Sequence, residues 1–184
     1  MAGRRDPMAA AAAAILAARE IAAARDDPAA GSHARATVGR IVPLPGGTNV
    51  IASRVDAWLD ARAGTDAGVR ALLAEITAAM RDRAAAHGCE LAIAEESVAS
   101  AVAFDAGLRD RLGAALAARD GGTPPPVLAT GAGHDAGILA GVLPTAMLFV
   151  RNPTGVSHSP QETATAADCA AGAAALRTVL EELL

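Results

Sequence analysis

The chain has 184 residues, 52% of them apolar, with a net charge of −4 from 16 basic residues, all arginine, and 20 acidic ones. That length allows one moderate domain or two small ones. The mixed charge gives neither a nucleic-acid footprint nor a basic membrane patch, leaving a small molecule or a protein as the default partner. Only Trp58, Phe104 and Phe149 are aromatic, so the core has to be built from Ala, Val, Leu and Ile.

Taken in chain order, Asp6 is a good N-cap and Pro7 suits a first helical turn, and the alanine-rich sequence predicts a helix from Pro7 to Arg25. Its apolar run is short for a bilayer span and is followed closely by Arg19, Glu20 and Arg25. No segment has a signal-peptide layout, so the expected location is cytoplasmic. Two strand-like runs follow, Ala36 to Leu44 and Val50 to Ala61, joined by Pro45-Gly46-Gly47-Thr48-Asn49. In the second, Ile51, Val55, Ala57 and Leu59 alternate with Arg54, Asp56, Asp60 and Arg62, as in an antiparallel pair with one wet face. Trp58 falls on the polar face, where it would cover the sheet or join an interface.

After Thr65-Asp66, the spacing of Val69, Leu72, Leu73, Ile76 and Met80 predicts an amphipathic helix, ended by His87-Gly88. Cys89, Leu91 and Ile93 alternate with small or charged residues and read as a third half-buried strand. Cys89 and Cys169 lack metal or redox spacing and read as small hydrophobes. The order is α-β-β-α-β, a ferredoxin-like split βαβ unit without its first strand. Asp105 then caps a helix to about Arg119, and Gly121 to Pro126 breaks the chain. A last helix from Thr165 to Leu184 is expected to turn Ala171, Ala174, Leu176, Val179 and Leu183 inward. The fold class is therefore α/β with an α+β first part. The division is placed near Ser100, giving domains 1–100 and 101–184.

The chemistry concentrates between Thr130 and Pro160. Gly131 and Gly133 flank Ala132 ahead of His134-Asp135. Thr145 to Val150 reads as a fully buried strand, and it delivers the turn Arg151 to Gly155 and then Val156-Ser157-His158-Ser159-Pro160. From residue types alone, His134 is equally a helix-capping loop residue, and His158 equally an exposed histidine.

The ordered set GAGHDA, PTAMLFV and GVSHSP, with His134 and His158 24 positions apart, resembles the C-terminal catalytic segment of the peptidase-M20-like amidohydrolases. Within them it is similar to the N-carbamoyl-amino-acid hydrolase and allantoate amidohydrolase branch. The resemblance implies that His158 is a ligand of a two-metal centre holding Zn or Mn, and that Gly133 and His134 contact substrate, His134 in a catalytic role. It further implies that Asn49 and Arg62 bind the carboxylate and amide groups of a ureido or carbamoyl substrate; the residues alone fit a turn asparagine and a surface ion pair with Asp60. Residues 1–100 resemble the lid, or dimerisation, domain of these enzymes, which implies a homodimer. The mechanism implied for an intact relative is hydrolysis of a C–N bond by a metal-held water, with a glutamate taking its proton.

The other metal ligands and that glutamate belong to family motifs that precede the matched part. Glu95-Glu96 and Glu181-Glu182 are exposed by pattern and are not that base. The chain alone is accordingly expected to bind metal poorly and to be inactive. Loop 151–155 favours allantoate as substrate, with N-carbamoyl-L-amino acids next. The alternative is a dimerising lid-type module without catalysis.

Overall fold

In the computed structural model, which describes residues 3–27 and 29–184, the Asp6 carboxylate accepts the backbone N–H of Met8 at 3.1 Å and opens helix α1, Pro7–Arg25. Strand β1, Arg35–Leu44, pairs antiparallel with β2, Arg54–Arg62. Thr65 caps helix α2, Asp66–Ala86, and Gly88 leaves it at φ +66°. Helices α3, Ala106–Arg119, α4, Asp135–Leu139, and α5, Ala166–Leu183, follow. The chain forms two compact units, one ending at Ala101 and one running from Val102 to Leu184.

In the N-terminal unit, α1 and α2 pack on one another and on the hairpin. Ala18, Ala22, Ala34, Leu72 and Ile76 form the core, with Ile21, Ala36, Leu59, Ala61 and Met80 against it. Ala36 faces Ala61 and Val38 faces Leu59 across the ladder, so the helices cover that face of the sheet. Of the stripe expected on α2, Ile76 (0% exposed) and Leu72 (1%) are buried and Met80 packs against them, while Val69 and Leu73 are only half-buried and lie outside this cluster. Alanines fill the contact face of α1, which lets two helix backbones approach closely. Among the described residues α1 is also the one helix long and apolar enough to cross a membrane. Its Ala18 and Ala22 lie in the protein core.

The register slips at Gly39, which is opposite no residue: Val38 faces Leu59, and the next ladder residue, Arg40, faces Trp58. Such a bulge turns the following side chains to the other face. It sets the Arg40 guanidinium 4.2 Å from the centre of the Trp58 ring, on the face away from the helices.

Several expectations need correction. The second strand starts at Arg54, since Ser53 folds back to donate both its N–H (2.8 Å) and its hydroxyl (2.9 Å) to the Leu44 carbonyl. Ile51 is thereby left in the loop, 44% exposed, and does not join the core face. Residues 89–93 form no strand. Their alternation is real, but a strand exists only through ladder bonds, and among the described residues β2 pairs only with β1. Beyond the segment, Glu96 accepts the Trp58 indole N–H at 3.1 Å and the Ala101 N–H donates to Asp66 at 2.7 Å. The architecture is thus a mixed helical fold with a small antiparallel sheet.

In the C-terminal unit, Leu112 and Leu116 of α3 meet Val179 of α5, with Leu108, Ala146, Leu148 and Ala175 around them. Residues 145–150 are not the fully buried strand expected. Ala146 and Leu148 cover the helices, but Phe149 is 50% exposed and no ladder forms on the segment. The inward face of α5 also differs. Ala175 and Val179 point in and Gly172 abuts Val150, whereas Leu176 is 52% exposed and Ala171, Ala174 and Leu183 are exposed too. On a helix apolar nearly all round, periodicity does not choose a face; the partner surface does.

Candidate functional site

His134 stands at the N-cap of α4, where its Nδ1 accepts the N–H of Ala136 at 3.0 Å. The capping role and the ligand-facing role coexist. An imidazole that accepts at Nδ1 carries its proton on Nε2 when neutral, so the ring presents an N–H donor away from the helix. Gly133, beside it, is exposed and would let a ligand approach the backbone closely.

His158 is exposed and sits in a loop tied together by its own side chains. Asn152 donates from Nδ2 to the Val156 carbonyl (2.8 Å) and accepts from the N–H of Thr154 (3.1 Å). The Thr154 hydroxyl contacts both Asn152 Oδ1 (2.8 Å) and the Gln161 carbonyl (3.2 Å). The His158 N–H donates to Glu162 Oε2 at 3.0 Å. Neither Asn152 nor Glu162 was singled out from the sequence. The Asn-Pro-Thr-Gly turn and an acid four residues after the histidine were the available signals.

The loop is anchored to α5 by Arg151, whose guanidinium lies 3.7 Å from Asp168. Thr165 and Asp168 form a reciprocal cap: the Asp168 N–H donates to the Thr165 hydroxyl (3.0 Å), which donates to the carboxylate (2.6 Å). The Thr165 hydroxyl, and after it Arg151, hold the Asp168 carboxyl below its ordinary range. A depressed carboxylate pKa contributes stability that is present above the unfolded value of about 3.9 and is lost as pH falls through the lower folded value. A carbon-detected titration of Asp168 is expected to show that lowered midpoint. Thr165→Ala should move the midpoint up and cost about 1 kcal/mol through loss of the cap. A midpoint that does not respond to the substitution would show that the hydroxyl is not its cause.

In the N-terminal unit, Arg62 ends β2 with its Nε donating to Asp60 Oδ1 at 2.7 Å, both side chains being exposed. Asn49 lies exposed in the loop between β1 and β2. The length of β2, roughly 26 Å at about 3.3 Å per residue, separates that loop from Arg62. One copy of the hairpin does not bring the two together. Nor does any hydrogen bond join His134 to His158 among the described residues.

For a divalent metal the donor set does not fit. Among the described residues no three His, Cys, Asp or Glu side chains converge. A zinc site takes three or four protein ligands, and His158 is a single imidazole.

A family model, peptidase family M20/M25/M40, matches residues 2–182. An N-carbamoyl-L-amino acid amidohydrolase of Geobacillus stearothermophilus is 38% identical over 94% of this chain and 40% of its own length. A probable allantoate deiminase of Oryza sativa subsp. japonica is 32% identical over 79% of this chain and 32% of its own length. The crystal structure of an amidase of the hydantoinase/carbamoylase family from Burkholderia vietnamiensis superposes with a TM-score of 0.84 at 32% identity. It covers 97% of this chain and 42% of the amidase. The chain thus spans 32% to 42% of the length of these relatives. With the match running through nearly every residue, the chain belongs to peptidase family M20/M25/M40.

Proposed function

We propose that this chain is the substrate-clamping and C-terminal part of an amidohydrolase that cleaves a ureido or carbamoyl C–N bond. The observation that carries the reading is His134, whose ring is fixed through Nδ1 and leaves an Nε2–H donor beside exposed Gly133. Such a donor suits the carbonyl oxygen of a ureido group, on which negative charge develops as water adds. Arg62 is proposed for the substrate carboxylate, which would replace Asp60 on its planar fork; Asn49 is proposed for the amide group. Since one hairpin holds these two apart, they would serve different substrate molecules or meet through a second copy.

His158 is proposed as one donor of a divalent-metal centre, Zn or Mn, whose remaining donors lie outside this chain. Of the two substrates, N-carbamoyl-L-amino acid is put ahead of allantoate. The loop at 151–155 suggested the reverse order, but the Geobacillus relative matches at higher identity and over more of the chain.

The test is complementation. The chain alone, with Zn²⁺ or Mn²⁺, is expected to release no ammonia from N-carbamoyl-L-amino acids or allantoate. Addition of the portion of the Geobacillus relative that this chain does not match should produce turnover. Turnover by the chain alone would overturn the division of labour, and none on complementation would count against the reading itself.

The N-terminal unit is proposed as the lid and dimerisation domain, a ferredoxin-like unit whose two-stranded sheet carries unpaired edges among the described residues. Sedimentation at tens of micromolar should show self-association; a clean monomer would argue against it.

A further inference from the structure

His158 has a backbone φ of +57°, a left-handed conformation that residues with a Cβ rarely adopt. The ring is exposed, so no packing around it imposes this conformation. Side-chain bonds to the loop backbone surround it instead. Asn152 closes residues 152–156 on themselves, and Gly155, at φ +64°, lets the chain turn there. The Thr154 hydroxyl reaches across to the Gln161 carbonyl and ties the first half of the loop to the second. Glu162 completes the second half: its own N–H donates to the Ser159 carbonyl at 2.9 Å, and its carboxylate receives the His158 N–H at 3.0 Å. A charged acceptor makes this the strongest kind of bond available to that N–H.

We propose that Glu162 is a positioning residue, whose carboxylate holds His158 left-handed and thereby sets the direction in which its imidazole leaves the loop. This rests on the reading of His158 as a site residue. An imidazole is joined to the backbone by only two rotatable bonds. Releasing φ to the ordinary negative region would therefore swing the ring to a different side of the loop. Glu162 acts through His158 and needs no contact with substrate.

The experiment uses the full chain with isotope-labelled histidine and backbone nitrogen. In Glu162→Ala, hydrogen exchange at the His158 amide should accelerate about tenfold, the loss of one charge-assisted bond, and the imidazole Cε1–H resonance should shift. Glu162→Gln keeps a side-chain oxygen that can accept the same N–H, and should restore exchange to within about threefold of the parent. Methyl resonances of Leu112, Leu116 and Val179 should stay in place in both variants, which separates release of the clamp from unfolding. In the complemented assembly, Glu162→Ala should lower kcat about tenfold or more with KM little changed, and Gln should recover it.

Unchanged amide exchange in Glu162→Ala overturns the proposal, as does faster exchange with an unmoved ring resonance. If His158→Ala leaves turnover intact, the functional reading of His158 fails instead, while the ring resonance still decides whether Glu162 aims it.

Discussion

His158→Ala, made in the complemented assembly, is expected to lower hydrolysis by at least about a hundredfold and to reduce bound metal. Loss of a residue that only supports a metal ligand already costs 10–100-fold, so removing the proposed donor should cost no less. The chain's own structure makes the substitution clean. The His158 side chain is exposed and its hydrogen bond to Glu162 runs through the backbone, so alanine deletes the imidazole without emptying a core. His134→Ala is the paired control. It should keep the metal and lower turnover, because it removes the Nε2–H donor together with the cap on α4. Metal content decides between the two histidines: if His134→Ala strips the metal and His158→Ala retains it, the proposed roles are exchanged.

The largest effect on stability is expected at Ile76. Its side chain is fully buried between α1, α2 and the hairpin, and Ile76→Ala should cost about 2–5 kcal/mol in lost burial and residual cavity. Against a typical domain stability of about 5–15 kcal/mol, that removes a large share. Trp58 is the only tryptophan of the chain and belongs to the same unit, so its fluorescence in a urea titration reports this transition selectively. Ile51→Ala removes the same atoms from a loop position, 44% exposed, and should cost no more than about 1 kcal/mol. Equal losses at the two sites would mean that Ile51 belongs to the core after all.

The two isoleucines show where the sequence could be read and where it could not. Ile76 belongs to an i, i+3, i+4, i+7 stripe with a cap in front of it, and that local pattern fixes both the helix and its buried face. Ile51 fits an alternating run equally well, yet Ser53 folds back to bond the Leu44 carbonyl and ends the strand before reaching it. Leu91 and Ile93 alternate correctly too, without a ladder partner among the described residues. At the candidate site, both histidines and their small-residue loops were legible as motifs, because motif chemistry is local. That His134 caps through Nδ1 and that Glu162 takes the His158 N–H was not.

By itself, then, the sequence determined the family, the four long helices of the described residues with the Asp6 and Asp105 caps, the hairpin, and the two histidine motifs of the candidate site. These depend on contacts within a few positions along the chain: a side-chain oxygen and the next N–H groups, or an apolar stripe once per turn. The tertiary structure decided which extended segments became strands, which face of alanine-rich α5 turned inward, and which way each candidate side chain was held. Those outcomes depend on partners distant in sequence, whose backbone groups must be present to complete a ladder and whose side chains must be present to define an inside.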